Sequence, residues 1–189
     1  MSKPVVVFLS AKRRGGKDTL AEYLSEHHGF IRVAFADALK NEVSANTGIP
    51  RHEFDNEDLK EKASEGQLMT RRQLLQEFGS WKRSLDPSYF TNQCRSTVNA
   101  LIKKGESVVI SDARYPNELE ASALDICEEQ IHRIRINRPS REALYGKDEH
   151  ESEIALDDYP HFDAVIENEE GDKTVMFKQI DRILSKNVA

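Results

Sequence analysis

The residues best suited to chemistry lie near the start of the chain, in Ala11-Lys12-Arg13-Arg14-Gly15-Gly16-Lys17-Asp18-Thr19. This segment approaches the phosphate-loop pattern G-x-x-x-x-G-K-[ST]. Ala11 replaces the first glycine, Asp18 stands at the hydroxyl position, and Thr19 follows one step later. The parts that phosphate chemistry needs are kept. A tight turn places backbone N–H groups and the positive end of a helix against anionic oxygens, while Lys17 reaches the β- and γ-phosphates. Gly15 and Gly16 permit backbone angles that a side chain would forbid. Lys12, Arg13 and Thr19 complete the candidate donor set. Asp18 has two readings: a hard oxygen ligand for magnesium, or a first-turn acid that favours the helix dipole. A basic surface turn is the bland alternative, and the position between a strand and a helix argues against it.

Phosphoryl transfer needs little covalent help from a protein. It needs aligned donor and acceptor, and positive charge around the moving group. A second phosphate is best held by arginine, whose planar fork binds an oxyanion through two parallel N–H bonds. Arg72 and Arg83 flank Gly79, and Arg114 follows the apolar run Val108-Val109-Ile110-Ser111. In parallel sheets ligands bind at the carboxyl ends of strands, which favours Arg114 on geometry. Asp112 ends the same run. It could act on magnesium as a Walker-B-like carboxylate, cap a helix, or pair with Arg114. Asp37 could orient acceptor oxygens or N-cap a helix. Arg138 and Arg141 are placed for a lid over the donor phosphates that excludes water. Arg133 and Arg135 read as a solvated strand edge. Asp148 to Glu153 lacks a second histidine at ligand spacing and reads as an acidic helix start, not a zinc site. Asn168 could contact an adenine edge or make a turn with Gly171.

These residues need a frame. Short apolar, β-branched runs alternate with helical patterns, the signature of a parallel sheet with crossover helices. The predicted strands are Val5–Ser10, Ile31–Phe35, Val108–Asp112, Ile131–Ile136 and Ala164–Glu167. Leu20, Tyr23 and Leu24 mark one face of a helix after the glycine loop. Leu74, Leu75 and Phe78 mark another, which Gly79 is expected to close as a C-cap. Pro87 opens a helix through about Lys103, with Phe90, Cys94, Val98 and Leu101 as its stripe. Val175, Met176, Ile180, Ile183 and Leu184 mark the last helix. Asn46–Gln67 and Asn137–Pro160 are charged and break the rhythm, as functional loops do.

The chain of 189 residues suits one domain. Its net charge of −6 argues against broad binding to nucleic acid or anionic membrane. No apolar run is long enough to cross a bilayer, and the early return of charge after Leu9 argues against a signal peptide. Cys94 and Cys127 form no Cys-x-x-Cys pair, which suits a reducing cytoplasm.

Lys12-Arg13-x-x-Gly16-Lys17-Asp18-Thr19 resembles the variant loop of the phage deoxynucleoside monophosphate kinases, where Asp-Thr also follows the lysine. Animal-type phosphomevalonate kinases share it. The resemblance continues in order along nearly the whole chain. Phe35-Ala36-Asp37-Ala38-Leu39-Lys40 is similar to the family's Asp-Pro-Leu-Lys or Gly-Pro-Leu-Lys segment, with Ala38 for proline. Arg72-x-x-x-Gln76-x-x-Gly79, Asp112-x-Arg114-x-x-x-Glu118, and His150-x-x-Glu153 with Asp163, Ile166 and Asn168 match later motifs. The long insertions of some phage members are absent.

This resemblance implies a P-loop NTPase α/β/α fold with about five parallel strands and a lid, of the nucleoside monophosphate kinase type. It implies one domain over 1–189, with an acceptor region about 41–85 and a lid about 137–160. ATP and magnesium are the implied cofactors, with Asp18 and Asp112 toward the metal, and a deoxynucleoside monophosphate is the acceptor. Lys17, Arg72, Arg83, Arg114 and Asp112 would act in transfer. Asp37, Lys40, Arg72, Gln76, Arg114, His150 and Glu153 would meet the acceptor. A homodimer is implied by resemblance alone. The competing expectations are phosphomevalonate as acceptor, and a nucleotide switch that hydrolyses without one.

Overall fold

The run Val6–Ala11 forms β1, and all six of its residues are buried, as expected of a strand covered on both faces. The structure, a computed structural model, describes residues 3–66, 68–140, 150–169 and 172–185, the side chain of Glu57 excepted. The chain divides into two compact units, Met1–Ala34 with Arg95–Ala189, and Phe35–Cys94.

The first unit holds a five-stranded sheet in the order β2-β3-β1-β4-β5. Its other strands are β2 (Ile31–Val33), β3 (Val108–Ile110), β4 (Ile131–Asn137) and β5 (Ala164–Glu167). Every pairing is parallel, with Val7 opposite both Val109 and His132. The strand order turns at β1, so the crevice for a ligand opens at the carboxyl end of that strand. Helix α1 (Lys17–His28) and the C-terminal helix Lys173–Ser185 cover the sheet. Leu20, Leu24, Met176 and Ile180 pack there with Val7, Leu9, Ile134 and Ile166. Tyr23 stacks on Phe177 with ring centres 4.0 Å apart.

The solvated edge expected at Arg133 and Arg135 is overturned, because β4 lies between β1 and β5. Both arginines are held. Arg133 donates to the Leu119 carbonyl at 2.8 Å and to Glu128 at 2.6 Å, and Arg135 to Ser10 Oγ at 2.9 Å.

The second unit carries α2 (Phe35–Thr47), a 3-10 turn Arg51–Phe54, α3 (Glu57–Lys60) and α4 (Arg71–Leu85). Helix α5 (Tyr89–Ile102) begins in this unit and ends in the first. The second strand stops earlier than expected because Phe35 already opens α2. The polar stretch 46–67 supplies part of the core. Ile49 and Phe54 pack with Val43 and are flanked by Leu39, Leu74, Leu75 and Phe78. Helix α4 starts at a capping box in which Thr70 and Gln73 satisfy each other's backbone N–H.

Gly79 does not end that helix; α4 runs on to Leu85. A Cβ at Gly79 would stand 2.9 Å from Arg83 Nη2 and 3.4 Å from Leu39 Cδ2. The glycine serves close approach, not chain reversal.

Candidate functional site

β1 delivers the chain to the glycine loop, which closes through the Gly15 N–H donating to the Lys12 carbonyl at 2.9 Å. A Cβ on Gly15 would come within 2.8 Å of Ala11 Cβ, so the turn excludes larger residues. Arg14 (φ 58°) and Gly16 (φ 107°) are left-handed. Gly16 is the N-cap of α1 and brings no side-chain cap, so the first-turn N–H groups point out of the helix toward any bound anion.

The loop is braced from the opposite side. Asn168 is buried at the end of β5, and its Nδ2 donates to the Gly15 carbonyl at 2.7 Å. Arg138 Nη1 donates to the Arg14 carbonyl at 3.3 Å. A trans peptide with its carbonyl tied down presents its N–H the other way, so the bond to Gly15 aims the Gly16 N–H outward. Sequence reasoning offered adenine contact or a turn for Asn168; here its side chain shapes the loop.

A second brace comes from the one-turn helix Glu151–Ile154. His150 caps it, Nδ1 accepting the Ser152 N–H at 3.2 Å. The buried Glu153 of that helix uses both oxygens. One accepts the Arg13 N–H at 2.9 Å, and the other pairs with Arg114 Nη1. The Glu153 and Ser152 carbonyls accept Lys12 Nζ at 2.7 Å and Arg114 Nη1 at 3.2 Å. Asp157 joins Lys12 to Arg135. Glu118, also buried, accepts the Arg114 backbone N–H at 2.7 Å.

Burial alone would lower the pKa of the Arg114 guanidinium. The carboxylates of Glu153, Asp112 and Glu118 outweigh it and hold the value above the ordinary one. Among the described residues, Nε and Nη2 of Arg114 carry no partner. Nη1 is therefore anchored, while Nε and Nη2 remain as a pair of donors suited to an oxyanion.

Lys17 Nζ lies 2.8 Å from Asp18 Oδ2, and Arg32 Nη2 donates to Asp18 Oδ1 at 3.1 Å. Arg32 Nε donates to the buried Ser111 Oγ at 3.0 Å, which ties α1 to the end of β3 beside Asp112. A magnesium ion on a polyphosphate takes most of its ligands from phosphate and water, and asks one or two carboxylates of the protein. Asp112 and Asp18 supply oxygens of that kind, so the residues fit such an ion. Among the described residues no group of three or more His, Cys, Asp or Glu could hold a metal ion by itself.

The second unit positions the remaining candidates. Arg51 links Asp37 at 2.9 Å to Asp55, and Lys40 pairs with Asp55 at 2.9 Å. Burial would raise the Asp55 pKa, but Lys40 and Arg51 hold it below the ordinary value. Asp37 lies in the first turn of α2, not at its cap, since the helix begins at Phe35. Along α4, Arg72, Gln76, Gly79 and Arg83 recur at helical spacing and share one face. Arg72 pairs with Glu61 at 2.7 Å, and Arg83 lies 5.8 Å from the centre of the Phe90 ring. The neighbouring Arg71 is the structural arginine, buried on Glu53 and the carbonyls of Leu59 and Lys62. Arg51 and Arg32 were not singled out from sequence, and no spacing marks them. Arg141 lies outside the described residues.

A parallel sheet with the glycine loop after its central strand defines the class as a P-loop α/β fold. Among solved structures, TT1252 of Thermus thermophilus is similar at a TM-score of 0.55 and 15% identity, covering 98% of each chain. Dephospho-CoA kinase of Campylobacter jejuni is similar at 0.53 and 15%, over 96% of this chain and 98% of that one. These likenesses bear on fold alone. In sequence, the chain is 29% identical over 177 residues to a protein of Acanthamoeba polyphaga mimivirus, provisionally named a deoxynucleotide monophosphate kinase. The match covers 87% of this chain and 88% of that protein. No protein-family model matches.

Proposed function

We propose that the chain transfers the γ-phosphoryl group of ATP to a deoxynucleoside monophosphate, giving ADP and a deoxynucleoside diphosphate. The observation that carries this reading is the left-handed glycine loop, braced by Asn168, at the uncapped start of α1 with Lys17 in its first turn. The name of the mimivirus relative supports the acceptor class.

The loop amides and Lys17 hold the β- and γ-oxygens of the donor. Arg114, fixed at one nitrogen by Glu153, turns its other edge to a phosphate. Arg72, Gln76 and Arg83 on α4, within the acceptor region about 41–85, bind the acceptor phosphate, with Asp37 and Lys40 just before that region as further contacts. Asp112 would hold magnesium directly and Asp18 through its water shell, and the ion would offset charge on the transferring group. Arg138, beside the loop, belongs with the donor site.

A coupled ADP-release assay tests this with ATP and magnesium against dTMP, dGMP, dCMP, dAMP and phosphomevalonate. Turnover is expected with at least one deoxynucleotide, and Lys17→Ala is expected to reduce it by about 10²–10³-fold or more. Turnover with phosphomevalonate alone would move the acceptor to isoprenoid chemistry. Hydrolysis indifferent to acceptor would mean a switch and not a kinase.

A further inference from the structure

A P-loop carries a neutral hydroxyl where this chain carries Asp18. Where no metal ion lies between them, a full negative charge in the first turn of α1 opposes bound phosphates, so the substitution needs a remedy. We infer that Arg32 is that remedy: a positioning residue whose guanidinium neutralises Asp18 so that the loop can hold a polyphosphate. The inference rests on the phosphate-loop reading and adds a residue to it.

Arg32 is the middle residue of the edge strand β2, where a half-exposed arginine has no packing duty. Its guanidinium donates in two directions. Nε donates to Ser111 Oγ, a fully buried oxygen whose own backbone N–H is bonded to the Val33 carbonyl. Nη2 then reaches Asp18 Oδ1 at 3.1 Å. Only a fork can do both, which is why lysine would not substitute fully.

Lys17 holds the other oxygen of Asp18 at 2.8 Å. Lys17 is also the residue that must reach the phosphates. When it does so, Asp18 keeps Arg32 as counter-charge, and its repulsion of the nucleotide stays offset. An exposed ion pair of this kind adds little to folding, so its consequence lies in ligand binding.

The test is equilibrium binding of a fluorescent ATP analogue to the full chain in EDTA, where no metal can contribute. Arg32→Gln is expected to weaken binding about tenfold at low salt, with the defect shrinking as ionic strength rises. Adding Asp18→Asn to Arg32→Gln is expected to restore affinity to within about twofold of the starting protein, as charge coupling requires. Arg32→Lys, which keeps the charge and loses the fork, is expected to bind within about threefold. A salt-independent loss, no loss at all, or no recovery in the double variant would overturn the inference. Should Arg32→Gln not fold, Arg32→Lys and its salt dependence decide the matter, and a tenfold loss there would count against a charge role. If the unaltered protein binds no ATP analogue, the phosphate-loop reading falls as well. If it binds and Lys17→Ala does not, while Arg32→Gln binds normally, only the role of Arg32 is lost.

Discussion

At the scale of the residue, one carboxylate does most to join the candidate groups of the first unit. Glu153 holds the Arg13 amide with one oxygen and Arg114 with the other. Glu153→Gln keeps the shape, removes the charge, and leaves one acceptor oxygen for two donors, the Arg13 N–H and Arg114 Nη1. Breaking a buried ion pair from one side costs about 3–5 kcal/mol when both partners are fully enclosed. Arg114 is partly exposed, so a loss of about 1–3 kcal/mol is expected in urea unfolding. A merely structural glutamate would stop there. A positioning role predicts in addition that KM for the acceptor rises by about tenfold in the folded variant, since Arg114 would lose its orientation.

At the scale of the element, α4 presents Arg72, Gln76 and Arg83 along one face, and Gly79 decides how Arg83 lies. A new Cβ would meet the end of the Arg83 side chain, which can move, and Leu39 only at ordinary distance. Alanine in a helix interior is better than glycine by about 0.5–1 kcal/mol. Gly79→Ala is therefore expected to leave the melting temperature unchanged or raised while weakening acceptor binding, a combination that steady-state kinetics and calorimetry together would detect.

Helix α2 is tied to α4 and α5 through Glu42, which pairs with Lys82 at 2.9 Å and accepts from Tyr89 at 2.7 Å. Burial would raise the Glu42 pKa, but Tyr89, Lys82 and Gln93 together hold it below its ordinary 4.5. A depressed carboxylate stabilises the fold above its unfolded pKa, and that contribution fades as pH falls through the lower folded value. Urea unfolding followed by the fluorescence of Trp81, the sole tryptophan, should show stability falling below about pH 4.5, more steeply than in Glu42→Gln.

At the scale of the molecule, the proposed donor groups belong to the unit built from 1–34 and 95–189, and the α4 arginines to the unit built from 35–94. A ligand that binds only the folded state stabilises it by about 2.7 kcal/mol at a hundredfold excess over Kd. Hydrogen exchange should therefore separate the two ligands. ATP alone is expected to protect the loop and α1, and the accepted deoxynucleotide alone to protect α2 and α4. Protection of α4 by ATP and of the loop by the acceptor would reverse the assignment.

Much was legible before any tertiary structure. A buried strand, a glycine pair, a lysine and a helical pattern are local signals, because chain stiffness and hydrogen bonding act over a few residues. The helical period likewise puts Arg72, Gln76 and Arg83 on one face, whatever surrounds them. Local signals also misled. Gly79 after Leu74, Leu75 and Phe78 looks like a helix end, and only the closeness of the Arg83 guanidinium explains a glycine in mid-helix. Arg133 and Arg135 look solvated because alternation along a strand does not reveal its neighbours in the sheet.

What tertiary structure alone decided is which distant groups meet. Gly15 finds Asn168, Arg13 finds Glu153, and Asp18 finds Arg32 and, through it, Ser111. Residue type and spacing determine which chemistry is available and where strands and helices begin. The pairing of charges across the chain depends on strand order and register, which are set by packing of the whole sheet and leave no period in the sequence.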